Sequence, residues 1–258
     1  MRNILFILLL ICANAGAANI FEWDGESSSC PTGYEPKGGG VLVLGDTTSP
    51  PTGLTASMKQ VMEGTQQDIG CKELNGAAWG LSFGASYYHR FWIRISTDIA
   101  YSNQDKTKVN RWTNVLTGYF YETGVAPGEH NDGFSSAQGA GSGGEGPLIS
   151  YDFNPNSNTL LQSWTEVIVL FRIQSAADTC DGTMQLWVNA ASQGALTSVC
   201  WFSGSGPSPL NELWGPFMMT QFPQDISGTW WLAYFSVDTT FNSIWSAPPS
   251  TVFMPVMQ

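Results

Sequence analysis

The sequence predicts an all-β fold, an antiparallel two-sheet jelly-roll sandwich with very little helix, and three observations predict it. The first is a pair of facing strands within WTEVIVLFRIQSAADTCDGTMQLWVN, residues 164–189. Val167, Val169, Phe171 and Ile173 alternate there with Glu166, Ile168, Leu170 and Arg172, the period of two that a strand with one buried face requires. In the second arm Met184, Leu186 and Val188 alternate with Gln185, Trp187 and Asn189, and Asp181-Gly182 supplies turn chemistry between the arms. The second observation is a series of similar patterns along the chain, above all YYHRFWIRI at Tyr87 to Ile95 and TWWLAYFSVD at Thr229 to Asp238. The third is the scarcity of helical signals. Many strands and almost no helix in about 240 mature residues imply two antiparallel sheets face to face.

In chain order, residues 1–17 read as a secretory signal peptide: Arg2, an apolar run from Ile4 to Ile11, and small residues at Ala13 to Ala17. The run is shorter than the roughly 20 residues of a membrane span. Cys12 follows bulky Ile11 rather than a small residue, which disfavours a lipid anchor. Residues 18–258 are expected to form a single domain, a size that one all-β core can reach. Asn19 to Asp24 is a short opening strand, Gly25 to Gly40 a loop and Val41 to Leu44 a small strand. Thr55 to Glu63 is a helix candidate, with Thr55 to cap its start and Gly64 its end. In YYHRFWIRI, Phe91, Ile93 and Ile95 take one face and Tyr88, Arg90, Trp92 and Arg94 the other, which puts His89 on the core side. Trp112 to Glu122 reads as one strand, and the Gly-rich segment Gly124 to Pro147, carrying His130, as a long loop. A return strand follows over Ala195 to Phe202, then Leu213 to Phe222. In the closing strand Phe235 and Val237 face the core, with Tyr234, Ser236 and Asp238 opposite.

The charge balance is 10 basic against 21 acidic residues, net −11, which repels nucleic acid and anionic membrane surfaces. Only 12% of residues are charged while 13% are aromatic, so the surface must present neutral polar and aromatic groups, a composition that suits sugars. Removing the leader leaves Cys30, Cys71, Cys180 and Cys200, an even set expected to form disulfides in an oxidising, extracellular or periplasmic compartment. Three pairings are possible. Cys180 and Cys200 sit symmetrically about a hairpin tip near Ala191 to Gly194, which favours joining them and leaves Cys30 for Cys71. A zinc site is disfavoured, since there is no C-x-x-C spacing and no nearby histidine. No cofactor or metal is expected, although a structural calcium would leave no mark in the sequence, and a monomer is expected.

YYHRFWIRI, WTEVIVLFRI, DGTMQLWVN and YFSVDTT, in this order, resemble the concanavalin A-like lectin/glucanase superfamily, in particular its polysaccharide lyase-like jelly rolls. The resemblance covers most of the mature chain, and its motifs are structural rather than catalytic. Two positions depart from the pattern. Ala190 stands where a turn glycine usually follows W-V-N, and Leu232-Ala233 stands where a pair of acids often precedes the last strand.

The resulting expectation is a secreted carbohydrate-binding protein that holds a polysaccharide on a concave, aromatic-lined sheet face. Stacking aromatics flanked by fixed donors and acceptors are what such a face needs, and Tyr88, Arg90, Trp92, Arg94, Gln185, Trp187 and Asn189 supply both on faces away from the core. The alternative is a lyase that cleaves a uronic-acid glycan by β-elimination. It needs a cation to neutralise the sugar carboxylate and a base beside it, for which Arg90, Tyr88 and His130 are the candidates. Less favoured is a glycoside hydrolase using Glu22, Asp24 and Glu26, whose E-x-D-x-E spacing is that of laminarinase-type glucanases but is interrupted by Gly25. A non-catalytic structural or adhesive role is the remaining class.

Overall fold

The computed structural model of the chain describes residues 19–37, 40–63, 68–73, 83–96, 107–114, 119–126, 133–140, 144–152, 163–176, 179–199, 213–214, 218–221 and 227–239. Among them there is strand and no helix, in chain order β1 (Asn19–Trp23), β2 (Tyr34–Lys37), β3 (Val41–Asp46), β4 (Ser57–Glu63), β5 (Asp68–Glu73), β6 (Ser86–Ile95), β7 (Thr107–Asn114), β8 (Tyr119–Ala126), β9 (Gly133–Ala140), β10 (Gly144–Asp152), β11 (Thr165–Arg172), β12 (Gly182–Val188), β13 (Ala191–Val199), β14 (Leu213–Trp214), β15 (Met218–Gln221) and β16 (Ser227–Asp238). Every pairing is antiparallel. One sheet runs β13-β12-β11-β6-β16-β4-β3, with β1 also on β16; the other runs β10-β9-β8-β7-β15-β5-β2, with β14 on β7. This is the two-sheet, all-β architecture that the alternating patterns predict. The expected leader, residues 1–17, lies outside the described residues.

The chain builds β6 in the first sheet, leaves for β7 to β10 of the second, and returns as β11 against β6. The core lies on the inner face of the first sheet. Phe91, Ile93, Val167, Val169, Met184, Leu186, Trp230, Leu232, Phe235 and Val237 are all fully buried there, and Ile69 and Cys71 of β5 join them from the second sheet. Their transfer from water is the main drive for the sandwich, at about 1.5–3 kcal/mol for each large apolar side chain. A disulfide between Cys30 and Cys71 ties the segment after β1 to this core, with the Cα atoms 5.6 Å apart. Cys180 is also disulfide-bonded, and Cys200 lies outside the described residues.

Several local expectations are corrected. Thr55 to Glu63 is not a helix: residues 57–63 are β4, held between β16 and β3, with Met58 and Gln60 fully buried. Helical propensity and a good cap lose to ladder hydrogen bonds on both edges. The loop expected over residues 25–40 includes β2, paired to β5. Trp112 to Glu122 is not one strand but parts of β7 and β8, which pair with each other. Much of the Gly-rich segment expected as a loop is strand, because β9 pairs on both sides, to β8 and β10, and backbone bonds need no side chains. Finally, Asp181-Gly182 is not the reversal point. Between the two arms the Asp181 carboxylate accepts from Ser175 N at 2.8 Å and Thr179 Oγ1 at 3.2 Å, and Gly182 already belongs to β12. The tight reversal lies one hairpin later, at Asn189-Ala190 rather than Ala191 to Gly194. Both residues take left-handed backbone, φ 47° and 65°, between the paired Val188 and Ala191, so β13 begins four residues before the return strand expected at Ala195.

Candidate functional site

The face of the first sheet away from the core is where the predicted ligand residues stand, and cross-strand register decides which of them meet. Trp92 pairs with Glu166 and Ala233, Arg90 with Ile168 and Ser236, and Tyr88 with Leu170 and Asp238. On the far side of β11, Trp187 pairs with Ile168 and Gln185 with Leu170. Tyr88, Trp92, Arg94, Gln185 and Trp187 are partly buried on this face, whereas Met184, Leu186 and Val188 are buried on the other, as alternation requires. The face is not bare: Ile168, between its cross-strand partners Arg90 and Trp187, is only 1% exposed. Asn189 leaves the strand altogether. It sits in the turn, where its side-chain oxygen accepts from Glu166 N at 2.9 Å and its own N–H donates to Glu166 O at 2.9 Å, so it clamps the end of β11.

The middle of the face is a charged cluster. Arg90 is 4% exposed, and both Nε and Nη2 of its guanidinium reach Glu166 Oε1. Glu166 lies diagonally across from Arg90 on the neighbouring strand, within reach of long side chains. The guanidinium also sits over the Tyr234 ring, 5.1 Å from its centroid. Tyr234 reaches this place because β16 bulges between Ala233 and Ser236, with Tyr234 itself at φ 48°. Burial first, and then the charge and hydrogen bond of Glu22, push its phenol up to about 12 against the opposing pull of Arg90. Burial also raises the Tyr88 phenol. Glu166 and Tyr234 were not among the residues that the sequence nominates. A signal exists, however: Trp230 and Leu232 are core at even positions while Phe235 and Val237 are core at odd ones, and such a parity switch within one strand requires a bulge.

A second constellation lies toward the β3 edge, in a cross-strand row of Val43, Lys59, Trp231 and Arg94. The Arg94 guanidinium stacks over the Trp231 ring at 4.6 Å from its centroid. The indole is held at its edge by Asp46, which accepts from Trp231 Nε1 at 3.0 Å. Both carboxylate oxygens of Asp46 also accept from Thr48 Oγ1, at 2.7 Å each.

The remaining candidates do not converge on either constellation as a set. Glu22 lies within β1 and hydrogen-bonds Tyr234, Trp23 ends the strand, and Gly25 at φ 83° then diverts the chain. Asp24 accepts from Glu26 N at 2.9 Å, and Glu26 accepts from Thr55 N at 2.6 Å, so the three carboxylates serve separate local contacts rather than one strand face. His130 lies outside the described residues. Among those residues no group of three or more His, Cys, Asp or Glu side chains is placed to hold a metal, and no helix is long and apolar enough to cross a membrane.

His89 stands on the core side, fully buried, with its ring 5.2 Å from Phe91 and 5.9 Å from Phe235. Burial pushes its pKa down to about 3, so it is neutral in the fold and unsuited to act as a base on the outer face. The sign of the linkage follows. The unfolded chain takes up a proton as pH falls below about 6.5, while the folded chain does not until near 3, so stability is full above 6.5 and is lost progressively below it. Between pH 7 and pH 5.5 the loss is expected to be about 1 kcal/mol, or roughly 2–4 °C in melting temperature, and to grow on further acidification. His89→Gln should flatten this part of the pH–stability curve; an equal slope in wild type and His89→Gln would assign the acid loss elsewhere.

No protein-family model matches the sequence, and no curated protein sequence matches it. Among solved structures, HCR/D-Sa-GBL1/C is similar with a TM-score of 0.51 at 13% identity, over 80% of this chain and 43% of that one. This chain thus spans less than half the length of that structure. An endo-β-1,4-glucuronan lyase from the fungus Trichoderma reesei has a TM-score of 0.46 at 12% identity, over 87% of this chain and 97% of that one. The cellulose induced protein Cip1 has a TM-score of 0.48 at 18% identity, over 85% and 97% of the two chains. What the first of these likenesses establishes is a shared sandwich fold.

Proposed function

We propose that this chain is a secreted carbohydrate-binding protein that holds a polysaccharide across the outer face of its first sheet. The observation that carries this reading is the lateral series of partly buried indoles, Trp187, Trp92 and Trp231, on β12, β6 and β16, all on the face opposite the core. An extended sugar chain presents its pyranose rings at intervals, and indole faces beside fixed polar groups such as Gln185 and Arg94 match that pattern. The disulfides support an oxidising compartment.

Lyase chemistry is the second reading, favoured by the juxtaposition of Arg90 with two phenols, Tyr88 and Tyr234. It is less well supported, because Glu166 already pairs with Nε and Nη2 of Arg90 and burial raises both phenols. Incubation with neutral and uronic polysaccharides separates the readings. Retention in affinity electrophoresis without new chain ends is the expected result. New unsaturated ends would make the protein a lyase, new reducing ends alone a hydrolase, and absence of both retention and cleavage on every polymer would overturn the glycan reading.

A further inference from the structure

We propose that Trp231, with Arg94 stacked on its ring and Lys59 beside it, forms a seat for an anionic group, carboxylate or sulfate, of the glycan chain. The inference rests on the glycan reading and names the chemical class of the ligand. Trp231 is the direct cross-strand partner of Lys59 on one side and of Arg94 on the other, so the two cations flank one indole on one face. Neither cation has a carboxylate partner among the described residues, in a chain whose acids outnumber its bases 21 to 10. Arg90, four residues away on the same strand, shows the contrast, since its Nε and Nη2 are paired with the Glu166 carboxylate.

The geometry leaves Arg94 able to bind. Stacking on an aromatic ring uses the flat face of a guanidinium and leaves its N–H donors in the plane, where they match the two oxygens of a carboxylate or sulfate. The platform is fixed in advance, because Asp46 holds the indole N–H at 3.0 Å and is itself held by Thr48, so little side-chain order has to be gained on binding. Asp46 is the acid nearest this row in the hydrogen-bond network, and its oxygens point at the Trp231 and Thr48 donors. Val43, at the open end of the row and 37% exposed, extends an apolar floor on which the carbon face of a sugar ring can rest.

The test is affinity electrophoresis of the full chain in gels containing alginate as the carboxylated polymer, dextran sulfate as the sulfated one, and dextran or a β-glucan as neutral ones. Wild type is expected to be retarded by at least one anionic polymer, more weakly as salt is raised, and the two anionic gels tell carboxylate from sulfate. Lys59→Met/Arg94→Met should lose about tenfold or more in affinity for that polymer, the size expected for removing charge-assisted contacts, with the melting temperature nearly unchanged. Arg94→Lys keeps a cation but not the planar fork, and should fall between the two; it decides the matter if the double variant does not fold. Undiminished anionic binding in the variants, or retardation by neutral polymers alone, would overturn the anion seat and leave the glycan reading intact. Retardation by none of the polymers would overturn both.

Discussion

Glu166→Ala is expected to destabilise the fold by about 3–5 kcal/mol, the cost of leaving a buried charge without its partner. Arg90 is 5% exposed at its side chain and Glu166 13%, so water cannot replace the lost carboxylate. The loss should not be read as the net worth of the pair. Removing both charges at once, as in Arg90→Met/Glu166→Leu, is expected to recover most of it, because the desolvation cost of the two ions disappears together with their attraction. Urea denaturation of wild type, both single variants and the double variant closes the cycle. A cost for Glu166→Ala of roughly 1 kcal/mol or less, the range of exposed ion pairs, would mean that the centre of the face is solvated and that Arg90 has donors to offer a ligand.

The next largest effect separates the two faces of the hairpin. Phe171→Ala should cost about 3–5 kcal/mol, since Phe171 is 2% exposed and stacks on Tyr87 with ring centroids 5.6 Å apart. Trp187→Ala, on the outer face, should cost much less stability but weaken binding to the cognate glycan by roughly 1 kcal/mol or more. Thermal melts of the two variants side by side, with affinity measured on Trp187→Ala, give the result. Comparable large losses of stability in both would remove Trp187 from the binding face.

Period-two alternation made the first sheet legible wherever a strand has one dry face. The buried sets Phe91, Ile93, Ile95 and Val167, Val169, Phe171, and the core position of His89, all follow from spacing alone, because a pleated strand sends neighbouring side chains to opposite sides. Alternation fails where apolar content is low or the backbone carries the pairing. Gly133–Ala140 is a strand held on both edges by main-chain bonds, and nothing in GFSSAQGA marks it. Ser57–Glu63 fails for a related reason, since its neighbours on both edges, rather than its own propensity, fix it as strand.

The candidate site divides in the same way. The sequence by itself placed Tyr88, Arg90, Trp92 and Arg94 on one face of their strand and Trp187 with Gln185 on the non-core face of theirs, since both results need only local periodicity; that the two strands present these residues on one sheet face comes from their common pairing to β11. Only the tertiary structure decided which arginine keeps its donors. Arg90 meets Glu166 across 76 residues of chain, and Trp231 meets Asp46 across 185. Those encounters depend on the order in which strands are laid into the sheet and on a one-residue bulge at Tyr234. A charge pair is a property of two positions brought within a few ångströms, and spacing along one strand carries no information about the strand beside it.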